Sequence, residues 1–126
     1  MAQYTNMKAK MDTELENVHW DIICFSEVRR KGIELATLHN GHLYYHVGND
    51  NSQAGVGLLV HKTLAGNVIE FKGISGRICV VSVRLNKKCR VNVIQVYAPT
   101  SSYNDDVMEE FFEQVSTTIE IIAKAF

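Results

Sequence analysis

Proline is almost missing from this chain, with Pro99 as its single residue, and the eight glycines are scattered. Collagen-like and linker-like sequence are thereby excluded. No uninterrupted apolar run approaches the roughly 20 residues needed to cross a bilayer, so no membrane association is expected. The opening stretch, MAQYTNMKAKMDTELEN, lacks an apolar core followed by a small-residue cleavage site, and no secretory leader is expected. Cysteine is scarce and odd in number: Cys24, Cys79 and Cys89 have no short paired spacing, which argues against a disulfide scaffold and against a zinc knuckle. A reducing intracellular setting, nucleus or cytoplasm, is expected. An excess of one charge is also missing. Thirteen Lys and Arg face fourteen Asp and Glu, for a net charge of -1 and a pI near 6.5. A stand-alone nucleic-acid binder carries a whole-chain positive footprint, so any contact with phosphates here must be local.

What remains is an ordinary globular composition, 46% apolar and 21% charged, in 126 residues, one domain's worth of chain without internal repeats. The periodicity predicts helix, strands, helix. Tyr4, Met7, Met11, Leu15 and Val18 recur at intervals of three and four, a core-facing helical stripe over residues 3–18. Trp20-Asp21-Ile22-Ile23-Cys24-Phe25 is a short apolar run rich in strand formers and reads as a strand buried on both faces. Further strands are predicted at 42–47, 55–61, 67–71, 77–85 and 90–97. The last two flank Asn86-Lys87-Lys88-Cys89, a polar turn suited to an antiparallel hairpin. Pro99 closes the series. Asn104 or Asp105 can then cap a helix with apolar positions Val107, Met108, Phe111, Phe112, Val115, Ile119, Ile122 and Phe126.

The strand faces sharpen this reading. Along 77–85, Ile78 and Val80 point one way while Cys79, Val81, Val83 and Leu85 point the other; along 90–97, Val91 and Val93 oppose Ile94 and Val96. A sheet apolar on both faces needs a cover on each, and two helices on one face leave the other open. Wetting several Val and Ile side chains forfeits about 1.5–3 kcal/mol each. The expectation is a part of a larger sandwich, or self-association into a homo-oligomer through the uncovered sheet face.

Two places carry candidate chemistry. Glu27 ends the strand 20–25 and is followed by Arg29, Arg30 and Lys31; a carboxylate at a strand terminus near cations suits a magnesium ion beside a phosphate, or is a solvated strand end. Tyr97-Ala98-Pro99-Thr100-Ser101-Ser102 ends a strand in a loop of hydroxyl groups that can bind phosphate oxygens, or is a plain strand-to-loop transition. Other features read as structure. His39, His42 and His46 lie close in sequence, yet no cysteine or carboxylate nearby completes a tetrahedral zinc set, and an alternating His/Tyr strand accounts for them. Gly55-Val56-Gly57 opens a strand and not a helix, so a bulge or a close strand contact explains it better than a phosphate loop. Arg84, Lys87, Lys88 and Arg90 form a basic hairpin tip that can touch DNA backbone, although such tips are routinely just solvated. Arg77, heading a strand, is suited to pair with Glu70 or with an acidic residue elsewhere.

Ile22-Ile23-Cys24-Phe25-Ser26-Glu27-Val28-Arg29, then Ala54-Gly55-Val56-Gly57-Leu58-Leu59-Val60, then Val93-Ile94-Gln95-Val96-Tyr97-Ala98-Pro99-Thr100 resemble the first half of the endonuclease/exonuclease/phosphatase superfamily. Within it they are most similar to the endonuclease domains of non-LTR retrotransposons. The resemblance runs from about Met11 to Phe126. It implies an α/β (α+β) fold, part of a four-layer sandwich of the DNase-I-like type, with one mostly antiparallel sheet and two helices on one face. It implies that Glu27 binds the catalytic Mg2+ and that Tyr97 contacts the scissile phosphate. Arg29 stands where a basic residue orients the metal carboxylate or reaches substrate. Thr100 stands at a substrate-contacting position that is often asparagine. The implied reaction is metal-assisted hydrolysis of a DNA phosphodiester, with water activated by an Asp–His pair.

The departures are equally specific. The family's opening strand with its metal-proximal asparagine has no counterpart, since Asn6 lies amid helical spacing. The Gly-Asp-x-Asn and Asp-His motifs do not occur in these residues. The expectation is therefore that residues 1–126 form the amino-terminal half of such a domain, without its first strand and its carboxyl-terminal half, and do not cleave DNA by themselves. The alternative is a non-catalytic interaction module.

Overall fold

The computed structural model describes residues 19–26, 31–48, 55–99 and 104–125. The helix expected over 3–18 and the residues Glu27, Arg29 and Thr100 lie outside these. Seven strands and two helices follow in the order β1 (Ile22–Ser26), β2 (Ile33–Thr37), β3 (Leu43–Val47), β4 (Val56–Val60), α1 (Lys62–Ala65), β5 (Val68–Ser75), β6 (Ile78–Asn86), β7 (Cys89–Val96) and α2 (Asp105–Ala125). The fold is α+β. Two antiparallel sheets form, one ordered β1-β4-β3-β2 and one ordered β5-β6-β7.

This corrects the expectation of one sheet with an uncovered face. Registers Cys24↔Leu58 and Tyr45↔Leu58 put alternate residues of the first sheet on a shared face, and Phe71↔Val81 with Val81↔Val93 do the same in the second. Those two faces close on each other. Tyr45, Val47, Val56, Leu58 and Val60 from one sheet and Cys79, Val81 and Val83 from the other make one buried core. Two-sided apolarity in β4 and β6 thus records a middle position in a stack of layers. β5 crosses β3 so closely that a Cβ on Gly73 would lie 2.7 Å from Val47 Cγ2.

The turn from one sheet to the other is made by α1, whose N-cap His61 accepts the Thr63 N–H at Nδ1, 3.2 Å away. On the far side of the first sheet, Tyr44, Leu59 and Leu38 form a second buried cluster with Trp20, Ile23 and Phe25. On the far side of the second, Ile78, Val80 and Ser82 are buried. There α2 buries Phe111 and Thr118, and its Glu110 and Gln114 line clefts with Ile74, Ser75 and Arg77. Among the described residues, no helix is long and apolar enough to cross a membrane.

Candidate functional site

Strands β1 and β7 end together. Gln95, one residue before the end of β7, faces inward opposite Cys79, and its Nε2 donates to the Phe25 carbonyl of β1 at 3.4 Å. The end of β1 therefore lies beside the end of β7, which Tyr97 follows. Tyr97 is half-buried, packed against the inter-sheet core, and its N–H donates to the Arg77 carbonyl at 2.8 Å. The Arg77 guanidinium returns the bond, Nη1 to the Tyr97 carbonyl at 3.1 Å, and lies 5.2 Å from the centre of the tyrosine ring. A ring face attracts a guanidinium through its quadrupole, so this stacking fixes both groups. Arg77 thus meets Tyr97 through both its guanidinium and its backbone. Beside it opens a cleft of about 230 Å³, lined by Ser75, Arg77, Pro99, Glu110, Phe111 and Gln114. The arrangement presents a fixed cation next to a tyrosine, chemistry suited to an anionic oxygen.

Of the residues singled out in sequence, the structure positions Tyr97; Glu27, Arg29 and Thr100 are outside the described residues. Gln95 and Arg77 are the contacts that sequence reasoning missed. A signal for Gln95 does exist: it is the polar member of the alternating series Val91, Val93, Gln95 on β7.

The histidines go separate ways. His42 and His61 pack against Trp20 with ring centres 4.8 and 4.7 Å away. His42 Nδ1 accepts the Lys62 N–H at 2.9 Å. His46 is buried on β3, bonded to the Tyr44 hydroxyl at 3.1 Å and 3.8 Å from Glu34 Oε2. His39 is exposed. Among the described residues, no three His, Cys, Asp or Glu side chains converge so as to hold a metal ion. Gly57 is the close contact read from the Gly-Val-Gly run, since a Cβ there would run into the Phe25 ring. All three cysteines are free thiols. Burial, reinforced by the neighbouring Cys24, pushes the Cys79 thiol up to about 12, which makes it a poor nucleophile.

No protein-family model matches this chain, and no solved structure matches it. It is 30% identical over 112 residues to craniofacial development protein 2 of Bos taurus. It is 27% identical over the same length to the protein of that name from Tragulus javanicus. In both cases the similarity takes in 88% of this chain and 19% of the relative, so the chain spans about a fifth of the curated relatives it matches.

Proposed function

We propose that this chain is a portion of a magnesium-dependent phosphodiesterase domain of the retrotransposon-endonuclease type acting on DNA, with its phosphate site where β1 and β7 end. The observation that carries this reading is the Gln95–Phe25 hydrogen bond, which brings the two strand ends of the resemblance together. The two stacked antiparallel sheets with α2 outside the second support a layered sandwich of the DNase-I-like type. Glu27 would hold Mg2+, and that ion would neutralise charge on the phosphoryl oxygens. The chain's own groups do the remaining work: Arg77 and Arg29 attract the phosphate, Thr100 contacts substrate, and the Tyr97 hydroxyl donates to a phosphate oxygen. No Asp-His pair is present in these 126 residues to activate water. By themselves they bind at the site and do not turn over.

Mn2+ titration followed by NMR tests the site at low affinity, because the paramagnetic ion broadens nearby amides. Phe25, Gln95 and Tyr97 should broaden first in the native chain and not in the Glu27→Gln variant. Broadening elsewhere, or identical broadening in both proteins, overturns the reading. With supercoiled plasmid and Mg2+, no nicking above buffer is expected. Nicking abolished by Glu27→Ala would overturn the claim of inactivity.

A second reading, a non-catalytic module, is favoured by Phe112, Ile119 and Ile121, large apolar side chains of α2 that are half or more exposed. Apolar surface of this kind marks protein contacts. Further exposed apolar side chains are Ile33 and Leu35 on β2, Ile69 on β5 and Val91 and Val96 on β7. Light scattering of the native chain and Phe112→Glu separates the two: a dimer that the substitution converts to monomer supports this reading, and a monomer in both cases removes it.

A further inference from the structure

The charges of this chain balance overall but are sharply segregated. Between Glu70 and Asp105 there is no carboxylate and there are six cations, Lys72, Arg77, Arg84, Lys87, Lys88 and Arg90. Helix α2 then carries six carboxylates and one lysine, which leaves twelve cations against eight carboxylates on the rest of the chain. Four of the cations sit on one projection. The ladder between β5 and β6 ends at Val68↔Val83, and beyond it only the Arg84 N–H reaches back, to the Asn67 carbonyl at 2.9 Å. From there the β6–β7 hairpin continues as a two-stranded ribbon turning at Lys87-Lys88, where Asn86 Oδ1 accepts the Lys88 N–H at 2.8 Å. Arg84, Leu85, Lys87, Lys88 and Arg90 are all exposed.

Within this ribbon Arg84 stands directly opposite Arg90. This register brings two guanidinium-bearing residues together on the projection. Among the described residues, Arg84, Lys87 and Lys88 have no ion pair.

We propose that this ribbon is a second polyanion-binding surface, separate from the strand ends near Tyr97, and that its ligand is the phosphate backbone of duplex DNA. Tyr97 lies seven positions beyond Arg90, about 24 Å at the rise of an extended strand, so the two surfaces do not overlap. A two-stranded ribbon is of a size that the major groove of B-DNA admits, at about 12 Å wide and 8.5 Å deep. The deep, narrow major groove of A-form RNA does not admit it. A membrane-seeking tip would carry aromatic side chains to enter the headgroup region, and residues 84–90 contain none. Four cations on one exposed projection fit contact with the phosphate backbone.

Fluorescence anisotropy with a short labelled DNA duplex tests this on the full chain at several salt concentrations. Binding at low salt should be of order micromolar, with the log–log salt slope reduced by about two in the Lys87→Gln, Lys88→Gln double variant and the affinity lowered about tenfold or more. Removing two charges elsewhere, Lys62→Gln with Lys124→Gln, should change affinity by less than about threefold. An unchanged slope in the tip variant overturns the proposal, as does equal or tighter binding of duplex RNA or of phosphatidylserine vesicles. The tip is exposed, so an unaltered melting temperature confirms that the variants are folded. If tip binding fails while Mn2+ still broadens Phe25 and Tyr97, only this inference falls; the converse result removes only the reading of the strand ends.

Discussion

Gly57 and Gly73 show how single atoms decide the closure of this fold. A methyl at Gly57 would overlap Phe25 Cε2, and the ring it displaces is the one stacked on Tyr44 with centres 5.8 Å apart. A methyl at Gly73 would meet Val47 and the Tyr45 hydroxyl across the inter-sheet core. Overpacking of this kind costs about 1–3 kcal/mol, so Gly57→Ala and Gly73→Ala should each lower the urea midpoint with an unchanged slope. Gly66 is the contrasting case. It has helical dihedrals and open space where a methyl would sit, with no atom within 4 Å, so Gly66→Ala should stabilise by about 0.4–1 kcal/mol in the same titration. The sequence offered a bulge or a close strand contact for the Gly55-Val56-Gly57 run, and Gly57 is the close contact. It could not tell that the neighbour is Phe25, which lies on a different strand and pairs with Gly57 only once the register is set.

Elements whose pattern repeats were legible, and those too short or too exposed to repeat were not. Strands β1 and β3 to β7 follow from their apolar runs, and α2 from its spacing and its cap, where Asn104 Oδ1 accepts the Val107 N–H at 3.0 Å. Four-residue α1 offers no full helical period to read. Strand β2, at the sheet edge, leaves Ile33 and Leu35 more than half exposed, so its sequence lacks the contrast between a buried and a wet face. In α2 the apolar residues supply two stripes, and the helix buries the one through Phe111 and Thr118 while Phe112 and Ile119 stay out. Thr118 tolerates burial because its hydroxyl donates to the Gln114 carbonyl at 2.8 Å within the helix. One consequence is measurable by thermal unfolding: Asn104→Ala should cost about 1 kcal/mol through the lost cap.

For the whole molecule, the sequence required a cover for both faces of β6 but left its identity open, because the partner is a sheet assembled from residues far away in the chain. Cys79 sits in that closure, fully buried among Val81, Val83 and the first sheet, and its thiol is pushed up to about 12 by burial, with a smaller push from Cys24. A thiol held neutral above its ordinary value near 9 contributes stability that is whole below pH 9 and is lost as pH climbs toward 12. The native state binds the proton that the unfolded chain has already released, so rising pH favours unfolding. The loss is on the order of 4 kcal/mol at the upper end of that window, comparable to much of a small domain's stability. Tyr45, also raised by burial and by Cys79, adds to the same slope. Urea midpoints measured from pH 8 to 11 should therefore fall steeply in the native chain. They should fall less in Cys79→Val, which keeps an apolar side chain in the core and cannot ionise. Parallel slopes in the two proteins would show that the inter-sheet core does not govern alkaline unfolding.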